Sequence, residues 1–429
     1  MEILLIGNGF DLEHNLPTSY NNFLDFCIKV DRIFSYSDTV TMGEYKRKNL
    51  DDWNVDDSIK NVLFHAFEER TYKKIYQKDG TYDVNVLTSN PLINELHELL
   101  NKNTWLNYFQ KCSSYLGENW IDFEAEISRV IQALDAARFQ VKCGGSPTNV
   151  ETNENQLLRS IVKAAKKDLS YKFKDYDSID NFITHLNEEL DKLIRALEIY
   201  ISGFVRNIMI PTKSVDIETL NPDHVLSFNY SDTYERIYGV EKNISYDYVH
   251  GKADVNNNVS TCTLVLGIDE YLEDDRKNSA LEFLTFKKYY QRIYKSTDNS
   301  YLKWIEIIKS EYSEYLRKLE LARTGSPDPT QSMPWEKRYY NLASVDYQKH
   351  NLYIFGHSLD ITDKDILQQF ICNDNVQTKI FYHRKNQYDK KELGKLIKNL
   401  VKVIGQEELI RRTGGSCKTI EFIPQTLRP

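Results

Sequence analysis

Short apolar segments that end in small or polar residues recur along this chain of 429 residues, and they constrain its fold more than any other feature. The first segment, 3–6, reads Ile-Leu-Leu-Ile and is followed by Gly7-Asn8-Gly9, so it predicts a buried parallel strand that enters a tight turn. Because ligands of an open parallel sheet lie outside the carboxyl ends of its strands, polar residues at such ends predict a binding site. Further strands or strand ends are predicted at 224–230, 249–251, 263–267, 351–357 and 379–382, with 379–382 as the last strand before a C-terminal helix at about 389–403.

Between these strands the apolar residues recur at the spacing of helices. A helix is predicted to begin after Thr18 or Ser19, and a long amphipathic helix begins near 177 and ends before Pro211. We therefore predict an α/β protein with a Rossmann-like parallel sheet core and large α-helical insertions. The core is predicted at 1–35, 216–275 and 345–429, and the helical insertions at 36–215 and 276–344.

The composition excludes several classes of protein. A formal net charge of −8 gives no strong nucleic-acid signal, because phosphate binding needs a basic surface. The six cysteines are scattered and show no zinc-binding spacing, which is typical of a reduced, cytoplasmic protein. No apolar run approaches the roughly 18 residues that a transmembrane helix needs, and the first residues do not resemble a signal peptide. We therefore expect a cytoplasmic protein without membrane contact.

Four polar blocks at the strand ends are candidates for chemistry. The glycines of Gly7-Asn8-Gly9 favour close approach to a phosphate, although a plain tight turn explains them equally well. Asn229 is suited to binding a ribose hydroxyl or a water, or to capping a turn. His250 is suited to general base catalysis, or to a structural role.

The fourth block, 356–363, contains Gly356, Ser358, Asp360 and Asp363. These residues suit contact with a ribose, while Asp363 is equally well explained as the start of a helix. Asp122 and Glu124 are two positions apart, a spacing that does not share a helix face, so paired acid–base work by them is not predicted.

In their order along the chain, these blocks resemble the signature of the AbiH family of bacterial phage-defence proteins. The matching segments are Ile6-Gly7-Asn8-Gly9-Phe10-Asp11-Leu12, Leu16-Pro17-Thr18-Ser19-Tyr20, Trp120-Ile121-Asp122-Phe123-Glu124, Phe228-Asn229-Tyr230, Val249-His250-Gly251, Leu266-Gly267-Ile268-Asp269 and Gly356-His357-Ser358-Leu359-Asp360. The same blocks resemble SIR2-like proteins, and this resemblance implies a SIR2-like core. It implies catalytic roles for Asn229 and His250, and nucleotide contacts for Gly7, Asn8, Gly9, Phe10, Asp11, Ser19, Gly267, Gly356, His357, Ser358 and Asp360.

The resemblance implies an abortive-infection protein that hydrolyses NAD⁺ to nicotinamide and ADP-ribose, with NAD as the substrate and no metal. It also implies a phage-derived activator and a homo-oligomer. Asp11 and Ser231 depart from the SIR2-like pattern, which usually has a small polar residue and an aspartate at these positions. Two alternatives stay open. One is a metal-dependent toxin that cleaves nucleotides or nucleic acids, with Mg²⁺ held by Asp11, Asp360 or Asp363, and the other is a non-catalytic nucleotide-binding sensor.

Overall fold

The computed structural model describes residues 1–36, 40–75, 87–116, 122–142, 153–165, 176–268, 281–324, 337, 341, 350–415 and 418–427. Trp120, Ile121 and Asp269, which belong to the blocks above, lie outside the described residues. None of the helices in the described ranges is both long enough and apolar enough to cross a lipid bilayer.

Six parallel strands form one sheet in the order β3-β2-β1-β4-β5-β6. The predicted α/β fold with a parallel, Rossmann-like sheet is therefore confirmed. The chain builds the sheet outward from β1, first to one side and then to the other, so the order reverses between β1 and β4. The strands are β1 (Glu2–Ile6), β2 (His224–Ser227), β3 (Ser245–Tyr248), β4 (His350–Phe355), β5 (Val376–Tyr382) and β6 (Ile420–Pro424).

The central strand is apolar throughout because both faces of the sheet are covered. Ile3 and Leu5 pack into the apolar cluster on one face, while Leu4 and Ile6 pack into the cluster on the other face. All four side chains are 2 % exposed or less. A third and larger apolar cluster lies among the helices that follow β1 in the chain.

Helices occupy most of the described chain between β1 and β2. They are α1 (Asn8–Glu13), α2 (Tyr20–Tyr36), α3 (Met42–Lys46), α4 (Asp57–Ile75), α5 (Pro91–Leu100), α6 (Thr104–Leu116), α7 (Phe123–Lys142), α8 (Asn153–Ala164), α9 (Tyr176–Ile199) and α10 (Val215–Glu218). Short π and 3₁₀ turns, Tyr200–Phe204 and Val205–Asn207, continue α9, so the predicted long helix ends before Pro211 as expected.

The remaining helices lie between or after the later strands. They are α11 (Thr233–Ile237), α12 (Lys288–Tyr294), α13 (Tyr301–Arg323), α14 (Lys364–Ile371), α15 (Lys391–Ile404) and α16 (Gln406–Thr413). Short 3₁₀ turns precede α12 at Leu281–Phe286 and α14 at Ile361–Asp363. The boundaries that we drew between core and insertions stay predictions.

Two sequence predictions about the strands were wrong. The segment 263–267 is not a strand, because its backbone bonds mainly to side chains, apart from the Val265 N–H, which donates to His250 O at 2.9 Å. Leu266 donates its N–H to Gln291 Oε1 at 3.0 Å, and Gln291 Nε2 donates to the Leu266 carbonyl at 3.1 Å. The sheet also does not end at β5, since β6 follows at its edge, a position that tolerates Pro424 and exposed side chains.

Candidate functional site

A cleft of about 740 Å³ opens at the carboxyl ends of the strands, beside the reversal between β1 and β4. Ligand sites of small molecules typically have this size and this place in a parallel sheet. Ten of the residues predicted from the sequence line it, namely Gly7, Asn8, Gly9, Asp11, Asn229, His250, Gly356, His357, Ser358 and Asp360. The cleft therefore gathers residues from turns that are far apart in the chain.

The glycine turn after β1 packs tightly against the turn after β4. Gly7 donates its backbone N–H to Phe355 O at 3.1 Å, and Gly9 donates to Gly356 O at 2.8 Å. A Cβ atom on Gly7 would lie 2.7 Å from His357 Cα, and one on Gly9 would lie 2.8 Å from Gly356 Cα. The glycines therefore permit close contact between the two backbones. The N–H groups of Gly7 and Gly9 already donate to this neighbouring turn.

Asn229 follows β2 and carries the first unpaired polar group of the site. The residue is 4 % exposed, and neither its side-chain nitrogen nor its side-chain oxygen has a hydrogen-bond partner. Its backbone is held in place, because its N–H donates to Ser227 Oγ at 3.2 Å and its carbonyl accepts from that hydroxyl at 3.1 Å. A buried amide without partners is rare in proteins, and such groups commonly await a ligand or a water.

His250 follows β3 and carries the second unpaired group. Its ring is buried, with Nε2 lying 3.2 Å from Asp363 Oδ1 and Nδ1 having no partner. Burial lowers the pKa of His250, and Lys288 adds to this effect, while Asp363 opposes it. The ring is therefore neutral near pH 7, with its proton on Nε2 facing the carboxylate and a free lone pair on Nδ1.

His357 binds the other oxygen of the same carboxylate. Its Nε2 lies 3.4 Å from Asp363 Oδ2, and its Nδ1 accepts the N–H of Leu359 at 2.9 Å. The Phe228 ring stands edge-on to both imidazoles, with centroid distances of 5.5 Å to His250 and 4.4 Å to His357. Asp363 therefore orients two histidines at once, and Phe228 restricts their rotation.

Lys288 and Glu124 extend this network into the helices. Lys288 Nζ lies 3.1 Å from Asp363 Oδ1 and 2.8 Å from Glu124 Oε2. Burial alone would raise the pKa of Asp363, but Lys288 and the two histidines hold it well below its usual range. The pKa of Glu124 is raised to about 7, because burial outweighs the attraction of Lys288. The buried ammonium group of Lys288 therefore pairs with two carboxylates, and that of Asp363 stays ionised.

Asp11 lies in the first turn of α1 and is 1 % exposed. Ser231 donates its hydroxyl to Asp11 Oδ2 at 2.6 Å, while Oδ1 has no partner. Burial raises the pKa of Asp11 to about 6, although the bond from Ser231 opposes this shift. The two positions that depart from the SIR2-like pattern, 11 and 231, are thus bonded to each other.

The cleft is acidic and is completed by the helical layer. Leu197 lines it from the end of α9, and Ile201 lines it from the π turn that continues α9. Glu124 lines it from α7 and Lys288 from α12. Among the described lining residues two are lysines, Lys288 and Lys395, and seven carry carboxylates, namely Asp11, Glu13, Asp122, Glu124, Asp360, Asp363 and Glu392. Such a surface favours a cationic group in the bound ligand.

Three of the predicted contact residues lie elsewhere. Phe10 is buried in the apolar cluster beside the sheet, and Ser19 caps α2 by accepting the Asn22 N–H at 3.2 Å. Gly267 packs against the backbone of the segment that precedes α12, where a Cβ atom would lie 2.5 Å from Phe286 O. None of the three is among the described residues that line the cleft.

No sequence pattern marked Lys288 as a site residue, and the spacing of Asp122 and Glu124 was misleading. Both acidic residues line the cleft, although they are two positions apart. The helix-face argument does not apply to them, because Asp122 caps α7 by accepting the Ala125 N–H at 3.1 Å, while Glu124 lies in the first turn. Both side chains therefore reach the cleft from the start of α7.

The fold and the cleft define an α/β protein with a parallel sheet and a ligand-sized cleft at its topological switch point. The family model described as "Bacteriophage abortive infection AbiH" matches residues 3–383, and the chain belongs to this family. It is therefore a bacteriophage abortive-infection protein. No match was found among the curated proteins, and none among the solved structures.

Proposed function

We propose that this abortive-infection protein hydrolyses NAD⁺ to nicotinamide and ADP-ribose in the cleft at the carboxyl ends of its strands. The observation that carries the proposal is the pair of unpaired groups in the cleft, the Asn229 amide and His250 Nδ1. One can hold a water or a ribose hydroxyl in place, and the other can accept a proton. The resemblance of these two positions to the catalytic residues of SIR2-like proteins supports the same assignment.

The reaction needs few groups, because the leaving group is already cationic. The nicotinamide–ribose bond breaks with its electron pair going to the ring nitrogen, so neutral nicotinamide leaves and positive charge develops on the ribose. Water then bonds to the ribose carbon, and its proton passes to His250 Nδ1 and from there to solvent. The Asn229 side chain orients the water or a ribose hydroxyl for this step.

The charge of the cleft supports this chemistry. A ribose cation is stabilised by carboxylates that are fixed before the reaction begins. Asp11 Oδ1 is buried, has no partner and lines the same cleft, so it can accept a ribose hydroxyl and place negative charge near the developing cation. In this proposal Asp11 contributes to substrate binding, and Asn229 and His250 contribute to the chemical step.

A metal-dependent toxin is the second candidate, and the number of carboxylates in the lining of the cleft favours it, although no group of three or more His, Cys, Asp or Glu side chains among the described residues is placed to hold a metal ion. Carboxylate oxygens are the ligands that Mg²⁺ prefers. In this candidate Asp11 would bind the metal ion instead of a ribose hydroxyl. The two candidates differ in the effect of a chelator, since only the second requires a divalent cation.

The test is incubation of the purified protein with NAD⁺, with Mg²⁺ or with a chelator, with and without an extract of infected cells. Products are separated by chromatography, and Asn229→Ala and His250→Ala are assayed beside the unchanged protein. His65→Ala is the matched control, because His65 lies on α4 with 77 % of its side chain exposed. Nicotinamide release that survives the chelator and needs Asn229 and His250, but not His65, supports the proposal.

The same variants are then tested in infected cells that produce the protein. Under the proposal, cellular NAD⁺ falls on infection with the unchanged protein and stays constant with either cleft variant. Phage defence that persists while NAD⁺ stays constant in every case would show that NAD⁺ hydrolysis is not the function.

A further inference from the structure

The only cation among the described groups that contact Asp363 comes from a helix outside the sheet. Lys288 is the first residue of α12 and is 4 % exposed. Its ammonium group contacts Asp363 Oδ1 at 3.1 Å, Thr362 Oγ1 at 3.3 Å and Glu124 Oε2 at 2.8 Å. Burial of an ammonium group is costly unless it is paired and hydrogen-bonded, and these contacts supply both conditions.

Lys288 and His250 share one carboxylate oxygen. Asp363 Oδ1 lies 3.1 Å from Lys288 Nζ and 3.2 Å from His250 Nε2, so the ammonium nitrogen and the ring nitrogen are at most about 6 Å apart. A positive charge at that distance opposes a second positive charge on the ring. It also keeps Asp363 ionised, so that the carboxylate accepts the Nε2 proton of His250.

We infer that Lys288 is a positioning residue, which acts through Asp363 to keep the His250 ring neutral with its proton on Nε2 and its Nδ1 lone pair open to the cleft. The catalytic meaning of this inference rests on the proposed function, but the state of the ring can be measured without any substrate. Because Lys288 lies in α12, a helix outside the sheet sets the protonation state of His250, which follows β3.

Several charged or titratable groups face the His250 ring, and their effects have different signs. Asp363 raises the pKa of His250, whereas burial, Lys288 and Arg292 lower it. His357 shares Asp363 and competes for its charge, and Glu124 neutralises part of the charge of Lys288. Removal of Lys288 takes away a repulsion while Asp363 remains, so the pKa of His250 rises.

The experiment follows the ring nitrogens of His250 by long-range ¹H–¹⁵N NMR in protein labelled at its nine histidines. The signals of His250 are assigned with His250→Gln. Lys288→Met keeps the length of the side chain and removes its charge. Lys295→Met is the matched control, because Lys295 lies one position past the end of α12 and contacts the Leu264 carbonyl and Asp191, not Asp363.

In the unchanged protein we expect the proton on Nε2 and a titration midpoint below the ordinary value of 6.5. In Lys288→Met the midpoint should rise by about one pH unit, and the acid limb of nicotinamide release should move by the same amount. Lys295→Met should leave both unchanged. A purely structural role for Lys288 would lower activity at every pH without moving the midpoint.

An unchanged midpoint in folded Lys288→Met would overturn the inference, and so would a midpoint above 6.5 in the unchanged protein. If Lys288→Met does not fold, Lys288→Gln tests the same contact, because glutamine keeps a polar side chain near Asp363 and removes the charge. An unchanged midpoint in folded Lys288→Gln also overturns the inference. A shifted midpoint without nicotinamide release in any sample would retain the positioning role and reject NAD⁺ hydrolysis.

Discussion

Replacement of Asn229 with leucine should make the protein more stable while it removes the proposed activity. Leucine has the same number and branching of side-chain heavy atoms as asparagine but has no polar atoms. The change removes two buried polar atoms that have no partner in the structure. A buried polar group without a partner costs about 1–3 kcal/mol, and the cleft admits water that recovers part of this cost. We therefore expect the free energy of unfolding to rise by about 1 kcal/mol, the lower end of that range.

The assay is urea unfolding followed by circular dichroism, with no nucleotide present. Asn103→Leu is the matched control, because Asn103 is 1 % exposed and both of its polar atoms are paired. Asn103 Nδ2 donates to Glu189 O at 2.8 Å, and its Oδ1 accepts the Leu106 N–H at 3.0 Å. The control change leaves the buried Leu106 N–H without its partner and removes a bond to the Glu189 carbonyl, so it should lower the free energy of unfolding by about 1–3 kcal/mol.

The opposite signs of the two changes are the decisive result. If Asn229→Leu lowers the free energy of unfolding as much as Asn103→Leu does, the Asn229 amide has partners in the free protein. The interpretation that Asn229 awaits a ligand would then be refuted. A stabilised variant that still releases nicotinamide at the normal rate would instead refute the role of Asn229 in the reaction.

Three further predictions concern titration and backbone geometry. Because the pKa of Asp11 is raised from 3.8 to about 6, its stabilising contribution is complete below pH 3.8 and is lost as the pH rises to about 6. Asp11→Asn should therefore gain about 3 kcal/mol of unfolding free energy relative to the unchanged protein between pH 4 and pH 7, measured by urea unfolding. In that variant, nicotinamide release should fall with decreasing pH at a midpoint below 6.5, because the pKa of His250 is lowered. Gly356→Ala should destabilise by about 3 kcal/mol or more, since φ is +69° and a Cβ atom would lie 2.2 Å from Phe10 N, whereas Gly394→Ala in α15 meets nothing and should stabilise by about 0.5–1 kcal/mol.

The sequence predicted the parallel sheet well because its central strands must be apolar on both faces. Segments such as 3–6 and 351–355 therefore carry a local signal that needs no knowledge of distant residues. The signal failed at 263–267, where a buried apolar run obtains its hydrogen bonds mainly from side chains such as Gln291 and needs no neighbouring strand. It also failed at β6, because most of its side chains are half-buried or exposed at the sheet edge, which is a less distinctive pattern than that of a central strand.

The residues of the candidate site also fall into two groups, those that a local sequence pattern predicts and those that it does not. Asn229 and His250 were predicted because the carboxyl ends of parallel strands converge, and this convergence follows from the fold class alone. Lys288 was not predicted as a site residue, because it lies on a helix with no motif around it. Glu124 lies in a segment of the family signature, but its spacing from Asp122 argued against a paired role. The contact between Lys288 and Glu124 depends on how two helices pack against the sheet, which no local pattern encodes.

This division has a consequence for the chemistry of the cleft. In the proposed function, the turns after the strands contribute residues that contact the ligand, but these residues alone do not fix the charge of His250. Burial lowers the pKa of His250, Asp363 raises it, and Lys288 lowers it further. Glu124 helps to hold Lys288 in its buried position. In the proposed function, the helical segments of this abortive-infection protein therefore contribute to the state of the base, because their packing against the sheet places Lys288 beside Asp363.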